Sequence, residues 1–400
     1  MPGTLEFVFM ETLHNPANPL PADLLPSTLR LPPPVTRLKL SVVIPVRNEA
    51  EALTRTLASL AHQVDLSGNA LDPDCYEVLL LANNCTDDTA EVARCFARRT
   101  PCLTLHVAEI SLPPSCAHVG TARKLLMDHA CRRLLGCRQG RGVIASTDGD
   151  TRVAPDWVAQ MLRETAGGAD AVGGRIRVER QLGEDQEARL YSLRDTAYQR
   201  GLARLEHLLD PDPADPWPRH HQFFGGSLGI TAEAYSAVGG LPPLPCLEDV
   251  ALEDALKRVD ARISHSPDVR VSTSPRQLGR TPLGLSAQLR EWGQMGRSGQ
   301  AHWVQQPAAV AARFRAKRRL RQAKRTGATE VSALAEDLAV PATLLQEGLL
   351  NPQQPFGAFW AGVMEHHLHP DGAWAQRWPL IEMTQALPDL RRSLLYYRFS

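Results

Sequence analysis

The 400-residue sequence predicts an α/β protein, a sheet of βαβ units flanked by helices and followed by a helical C-terminal region. Two observations carry this. From Leu38 onward, short β-branched and leucine-rich runs alternate with helix-length amphipathic segments, the pattern of parallel βαβ units. Three of those runs end in polar turns that would gather along one edge of the sheet.

Residues 1–37 are rich in proline and end near Pro32-Pro33-Pro34, a composition that sustains neither a helix nor an interior strand, so they read as an arm. Strands are expected over Leu38 to Ile44, stopping at Pro45, then Tyr76 to Leu81, Leu103 to Val107 and Gly142 to Thr147. Asn48 is the expected cap of the first helix, with Glu49 and Glu51 in its first turn and Leu53, Leu57 and Leu60 on its buried face. Thr86 is the corresponding cap in the second unit, with Val92 and Phe96 as its stripe, and Pro155 is expected to open a later helix.

A long helix is expected from Gln186 to Leu209, then a proline-rich break from Asp210 to Pro218 and a glycine-rich Phe223-Phe224-Gly225-Gly226-Ser227. Past Arg276 helix signals dominate, which places a boundary there and divides the chain into 1–37, 38–275 and 276–400. Eight Arg or Lys residues between Arg313 and Arg325 read as one solvated helix face, with an anionic membrane surface or phosphorylated acceptor as the alternative user.

Lys+Arg and Asp+Glu both total 44, which supplies no field for holding a nucleic acid backbone. The eight cysteines form no Cys-x-x-Cys pair and read as reduced, mostly packed thiols. No leader and no apolar run long enough to span a membrane is visible, so a cytoplasmic protein with at most peripheral membrane contact is expected.

In open α/β sheets ligands bind outside the carboxyl ends of the strands, where helix N-termini also point. Pro45-Val46-Arg47-Asn48-Glu49, Asn83-Asn84-Cys85-Thr86-Asp87 and Asp148-Gly149-Asp150 each follow a strand, so together they describe one crevice. An Asp-x-Asp turn offers two hard oxygen ligands suited to Mg²⁺ or Mn²⁺ that still need phosphate oxygens, although Asp-Gly-Asp is also ordinary turn chemistry. Glu248-Asp249 opens an amphipathic segment containing Val250, Leu252 and Leu256, which sets two carboxylates at a helix N-terminus. Glu253 and Asp254, one turn on, read as solvated, and His220 and His221 as exposed loop residues. Gly225 and Gly226 would admit a close backbone approach, and Arg276 and Arg280 could pair with phosphate oxygens or simply lie on the surface.

These pieces, with Gly120-Thr121-Ala122-Arg123, stand over residues 38–275 in the order found in glycosyltransferase family 2, which the chain resembles. The resemblance implies a GT-A fold, a Rossmann-like mixed sheet, and transfer of a sugar from a nucleotide-diphosphate sugar, UDP-linked on this reading, to an acceptor hydroxyl. It implies that Pro45, Arg47 and Glu49 line the nucleoside pocket, that Arg123 helps hold the nucleotide, and that Asn83 stands where the family has a base-reading aspartate. It further implies Asp148 against the ribose or the metal, Asp150 on Mg²⁺ or Mn²⁺, Gly226 near the sugar, and Asp249, beside Glu248, as general base in an inverting, single-transfer hexosyltransferase.

The family's late metal-ligating histidine has no counterpart at the end of Val269 to Ser274, with His265 lying earlier. The Gln-x-x-Arg-Trp motif of processive synthases is present only in its residue types, at the wrong spacing, in Gln288-Leu289-Arg290-Glu291-Trp292. The alternatives are a retaining transferase acting on a small phosphorylated acceptor and a non-catalytic nucleotide-sugar binder. A sugar nucleotidyltransferase would need a Gly-rich phosphate loop after the first strand, and Pro45 to Glu49 has none.

Overall fold

The computed structural model describes residues 31–137, 141–180, 185–276, 279, 283–328, 330–368 and 372–399. The first half contains β1 (Leu40–Val46), α1 (Ala50–Ala61), β2 (Tyr76–Asn83), α2 (Thr89–Arg99), β3 (Leu105–Ile110), α3 (Val119–Gly136), β4 (Val143–Thr147), β5 (Thr151–Val153), α4 (Trp157–Ala166) and β6 (Ala171–Val178). There follow α5 (Gln186–Leu209), β7 (Ser227–Thr231), α6 (Ala232–Ala237), α7 (Glu248–Arg258), β8 (Ile263–Thr273) and α8 (Leu285–Ser298). The chain closes with β9 (Trp303–Val304), α9 (Pro307–Thr326), α10 (Ser332–Leu338), α11 (Ala342–Leu350), α12 (Phe356–His367), α13 (Ala373–Arg377), β10 (Ile381–Glu382) and α14 (Met383–Phe399). Of the expected N-terminal arm only 31–37 lie among the described residues, and they form neither helix nor strand.

Eight strands make one mixed sheet in the order β3-β2-β1-β4-β7-β6-β8-β5. The first four are parallel, as the alternation predicts, but β7 runs antiparallel to both β4 and β6, and β5 antiparallel to β8. Both faces of the central strands are covered. Leu40, Val42 and Ile44 pack with the α1 stripe Leu53, Leu57 and Leu60, all fully buried, while Val43 packs with Leu126 and Leu79 on the other side.

Several local expectations change. β1 does not stop at Pro45 but runs through it to Val46. This is tolerated because the ladder to β4 has already ended at Val43, leaving only β2 as a partner there. Asn48 does not cap α1. At φ 55° its side chain instead crosses to the next loop, where Oδ1 accepts the Thr86 N–H at 2.8 Å. Nor does Thr86 cap α2, which begins at Thr89. The residues after β2 cap α1: Asp87 accepts the Ala50 N–H at 3.2 Å, and Thr89 Oγ1 accepts the Glu49 N–H at 2.8 Å. With the Asn48–Thr86 bond, this fixes the loop after β1 against the loop after β2. The buried stripe of α2 is Thr89, Ala90 and Ala93, with Val92 and Phe96 only half-buried. Pro155 precedes α4 and its cap Asp156, with β5 interposed after Asp150.

The helix α5 spans the predicted Gln186–Leu209 and carries the C-terminal helices: its Tyr198, Leu205 and Leu209 pack against Ala311 of α9 and Met383, Ala386 and Leu390 of α14. The basic run on α9 is not one solvated face. Lys317 and Arg321 turn to Glu206 and Asp210 at 3.3 and 2.7 Å, and Lys324 donates to the carbonyls of Gly348 and Asn351. All eight cysteines are free, but only Cys75 and Cys131 are buried, so the packing expected of them is partial. Among the described residues no helix is long and apolar enough to cross a membrane.

Candidate active site

The carboxyl ends of β1, β2 and β4, the start of β7 and the N-terminus of α7 open onto one crevice of about 2500 Å³. Pro45, Arg47, Glu49, Asn83, Arg123, Asp148, Asp150, Gly226, Glu248 and Asp249 all line it. The structure therefore places these ten residues along one crevice.

Arg123 stands at its centre. Projecting from α3 and only 4% exposed, its guanidinium donates to Glu248 Oε1 and to Asp148 Oδ1, each at 2.7 Å. Gly225 is glycine for a reason visible here: a Cβ at that position would lie 1.9 Å from Arg123 Nη1. The sequence reading assigned Gly225 to ligand approach, but its hydrogen makes room for this arginine. Gly149 is similarly confined, by Val46 Cγ1 at 2.7 Å from a Cβ built upon it.

Glu248 and Asp249 form the first turn of α7, entered through Leu247 at φ 59°. A leucine in the left-handed region is strained, and it sits directly before the acid pair. Asp249 Oδ2 accepts the Gly225 N–H at 2.7 Å and Oδ1 accepts the Val250 N–H at 2.9 Å. Burial raises the carboxyls of both Glu248 and Asp249, against the opposing charge of Arg123, which must also serve Asp148.

A second arginine organises the other wall. Arg276 donates two hydrogen bonds to Glu49, at 2.8 and 2.7 Å, and approaches Asp150 Oδ2 at 3.1 Å. Burial, reinforced by the charges of Asp148 and Glu49, pushes the Asp150 carboxyl up to about 6 despite that guanidinium. Arg276, read as a phosphate partner or a surface residue, is here bound to acids within the crevice. Arg280 lies outside the described residues.

Arg47 is exposed and donates to the Ala117 carbonyl at 3.2 Å. Asn83 is 3% exposed, and its Oδ1 has no hydrogen-bond partner, a buried acceptor left open beside the crevice.

Other expectations are overturned. Glu253 is not solvated: it pairs with Lys257 at 2.7 Å and with His265 Nε2 at 3.5 Å. Asp254 is half-buried and paired with Arg258 at 2.6 Å. His220 is buried, with Nε2 at 3.0 Å from the Ser266 carbonyl, and His221 is half-buried rather than exposed. His265 is held by Asp215, which meets its backbone N–H and its Nδ1, each at 2.8 Å, and these contacts raise its imidazole to about 9 against the burial that lowers it. No local signal in the sequence joins residues 50 positions apart. His367 is buried, with Nδ1 at 2.6 Å from the Leu338 carbonyl and its ring against Trp374.

Glu49, Asp148 and Asp150 lie near enough to Arg276 for each charge to act on it. Among the described residues no group of three His, Cys, Asp or Glu side chains is arranged to hold a metal, so protein ligands alone would not complete a shell.

A mixed sheet with its acids and arginines collected on one crevice defines a GT-A glycosyltransferase, an enzyme built on a nucleotide-sugar-binding fold. Residues 41–215 match the model of glycosyl transferase family 2, and that part of the chain is a family 2 domain. The match ends at Asp215, but β7 and β8 beyond it complete the same sheet, and α7 beyond it supplies the acid pair.

Among solved structures, the chain is similar to the mannosyltransferase PcManGT from Pyrobaculum calidifontis in complex with GDP-Man and Mn²⁺, at 16% identity, covering 92% of this chain and 94% of that one, with a TM-score of 0.41. It is also similar to S. aureus TarS 1-349 in complex with UDP-GlcNAc, at 15% identity, 90% and 92% coverage and a TM-score of 0.43. No curated protein sequence matches the chain.

Proposed function

We propose that this protein transfers a sugar from a nucleotide-diphosphate sugar to an acceptor hydroxyl, once per encounter and with inversion. The observation that carries the reading is the placing of Asp249. It lies on the rim of the crevice that also holds Asp148 and Asp150, anchored by two backbone N–H groups and kept basic by burial. Direct displacement requires one base facing the leaving group, and a carboxylate with a raised pKa is a better proton acceptor than an ordinary surface acid.

The nucleoside end of the donor is assigned to Pro45, Arg47, Glu49 and Asn83. The open Asn83 Oδ1 can accept from the ring N–H of uracil or of guanine, and of the two we take a UDP-linked donor. Asp150, with Asp148, would hold Mg²⁺ or Mn²⁺. Such a cation, when bound, neutralises charge developing on the departing diphosphate. Arg123 fixes Asp148 and Glu248 around that site, and a Cβ at Gly226 would lie 3.0 Å from Asp148 Oδ2, space that glycine leaves empty.

The reading is tested by a thermal-shift screen of nucleoside diphosphates and their sugars with and without Mn²⁺, followed by nucleotide release from the sugar that binds. A selective shift with release supports an enzyme. A shift without release supports the binder alternative, and no shift for any nucleotide overturns both. The anomeric configuration of the product, read by NMR, separates inversion from retention.

A further inference from the structure

Three guanidiniums in the crevice are left without a task by this assignment. Arg175 and Arg177 stand two residues apart on β6 and so leave the same face of the strand. Arg200 comes from α5, and all three line the crevice that holds Asp148, Gly226 and Asp249. The face they occupy is fixed by its neighbours. Beyond the register break between Gly174 and Arg175, Ile176 turns toward Gly226, and Arg175 and Arg177 take the opposite face.

Arg123 and Arg276 are each neutralised by two acids. Arg175, Arg177 and Arg200 are not: among the described residues, no ion pair or hydrogen bond joins any of them to a carboxylate. The acids nearby in the chain are engaged elsewhere, Glu179 with Arg152 at 2.8 Å and Glu206 with Arg219 at 2.6 Å, while Asp195 takes a hydrogen bond from Gln199. Arg270, the register partner of Arg175 on β8, has its own partner in Asp156 at 3.4 Å. Burial and then the charges of Arg177, Arg200 and Arg270 draw Arg175 below the ordinary arginine range.

We propose that Arg175, Arg177 and Arg200 form an anion subsite that holds a phosphate group on the acceptor while its hydroxyl is presented to Asp249. This rests on reading the crevice as the transfer site. Guanidinium forks pair with phosphate oxygens through parallel charge-assisted hydrogen bonds, and a phosphate dianion offers enough oxygens to engage several forks at once. The phosphate belongs either to a small phosphorylated sugar or alcohol, or to a phospholipid headgroup.

The test compares binding of glucose 6-phosphate with glucose, and of phosphatidylglycerol vesicles with phosphatidylcholine vesicles, to the full chain loaded with UDP and Mn²⁺. One phosphorylated probe is expected to bind roughly 10- to 100-fold more tightly than its neutral counterpart, on the scale of one charged hydrogen-bonded contact. Arg175→Ala with Arg177→Ala should abolish that margin while leaving the UDP-induced rise in Tm unchanged, and Arg175→Lys should restore only part of it. A margin for glucose 6-phosphate identifies a soluble acceptor, and one for vesicles alone a lipid headgroup. Equal binding of charged and neutral probes overturns the proposal. So does a double variant that loses the UDP shift, because the arginines would then serve the donor. Absence of a UDP shift in the unmodified protein is a separate result, which counts against the transferase reading itself.

Discussion

Asp249 Oδ2 accepts the backbone N–H of Gly225 at 2.7 Å, which ties the first turn of α7 to the segment entering β7. The proposed base is therefore set by main chain on one side and by its own helix on the other. Asp249→Asn keeps the shape and can still accept one of those bonds, but cannot take a proton. Turnover should fall by at least about 100-fold. The UDP-induced Tm shift should persist, and unchanged turnover would remove Asp249 from the mechanism.

Gly225 tests the packing around Arg123. A methyl group there would lie 1.9 Å from a guanidinium that two acids hold in place, so neither side can yield cheaply. Gly225→Ala is expected to cost about 1–3 kcal/mol of stability, the usual range for overpacking, visible as a lower denaturation midpoint. A variant as stable as the parent would show that Arg123 is free to move.

Arg276 competes with any cation for Asp150. Arg276→Ala removes that competitor and its positive charge from beside Glu49 and Asp150. The Tm without metal should drop, and the rise produced by Mn²⁺ alone should become larger than in the parent. A smaller Mn²⁺ response would remove Asp150 from the metal site.

His265 provides the pH test. Its pKa is raised from 6.5 to about 9, the proton being held by Asp215 and Glu253. The folded state therefore binds one more proton than the unfolded chain between those values. The resulting stabilisation is complete below about 6.5 and is lost as pH rises through about 9. The full difference corresponds to about 3 kcal/mol. Denaturation of the parent and of His265→Gln should differ more at pH 6 than at pH 10, and a gap that widens with pH would contradict the assignment.

The α1 stripe and the span of α5 were legible because each is written in consecutive residues: leucines at helical spacing in one case, an uninterrupted helix between breaks in the other. The crevice was legible because strand ends in such sheets gather, and polar turns mark the ends. What could not be read depended on distant partners. Asn48 and Thr86 have the right chemistry for caps, but once β1 and β2 are side by side they tie the two loops together, α1 is capped from the loop after β2, and Asp87 caps α2 from its own loop. Glu253 sits where a helix face would be wet, and only the return of β8 brings His265 over it. Arg175 and Arg177 did carry a signal in their spacing of two on a strand. Whether that face meets water or a crevice is decided by α5, which no local pattern locates.

The fit of α5 against the last helices bears on how this protein could be shortened. Tyr198, Leu205 and Leu209 on one side of α5 are covered by α9 and α14, Asp210 takes its counter-charges from α9, and Glu206 is shared between α9 and Arg219. Ending the chain near Arg276, where helix signals take over in the sequence, would strip a greasy flank and orphan Asp210 at a stroke. The segment after the sheet acts less as a passenger than as the second half of a clamp whose first half is Gln186–Leu209. Expression of the catalytic sheet alone should give an aggregating product, and a usable minimal enzyme must retain α9 and α14.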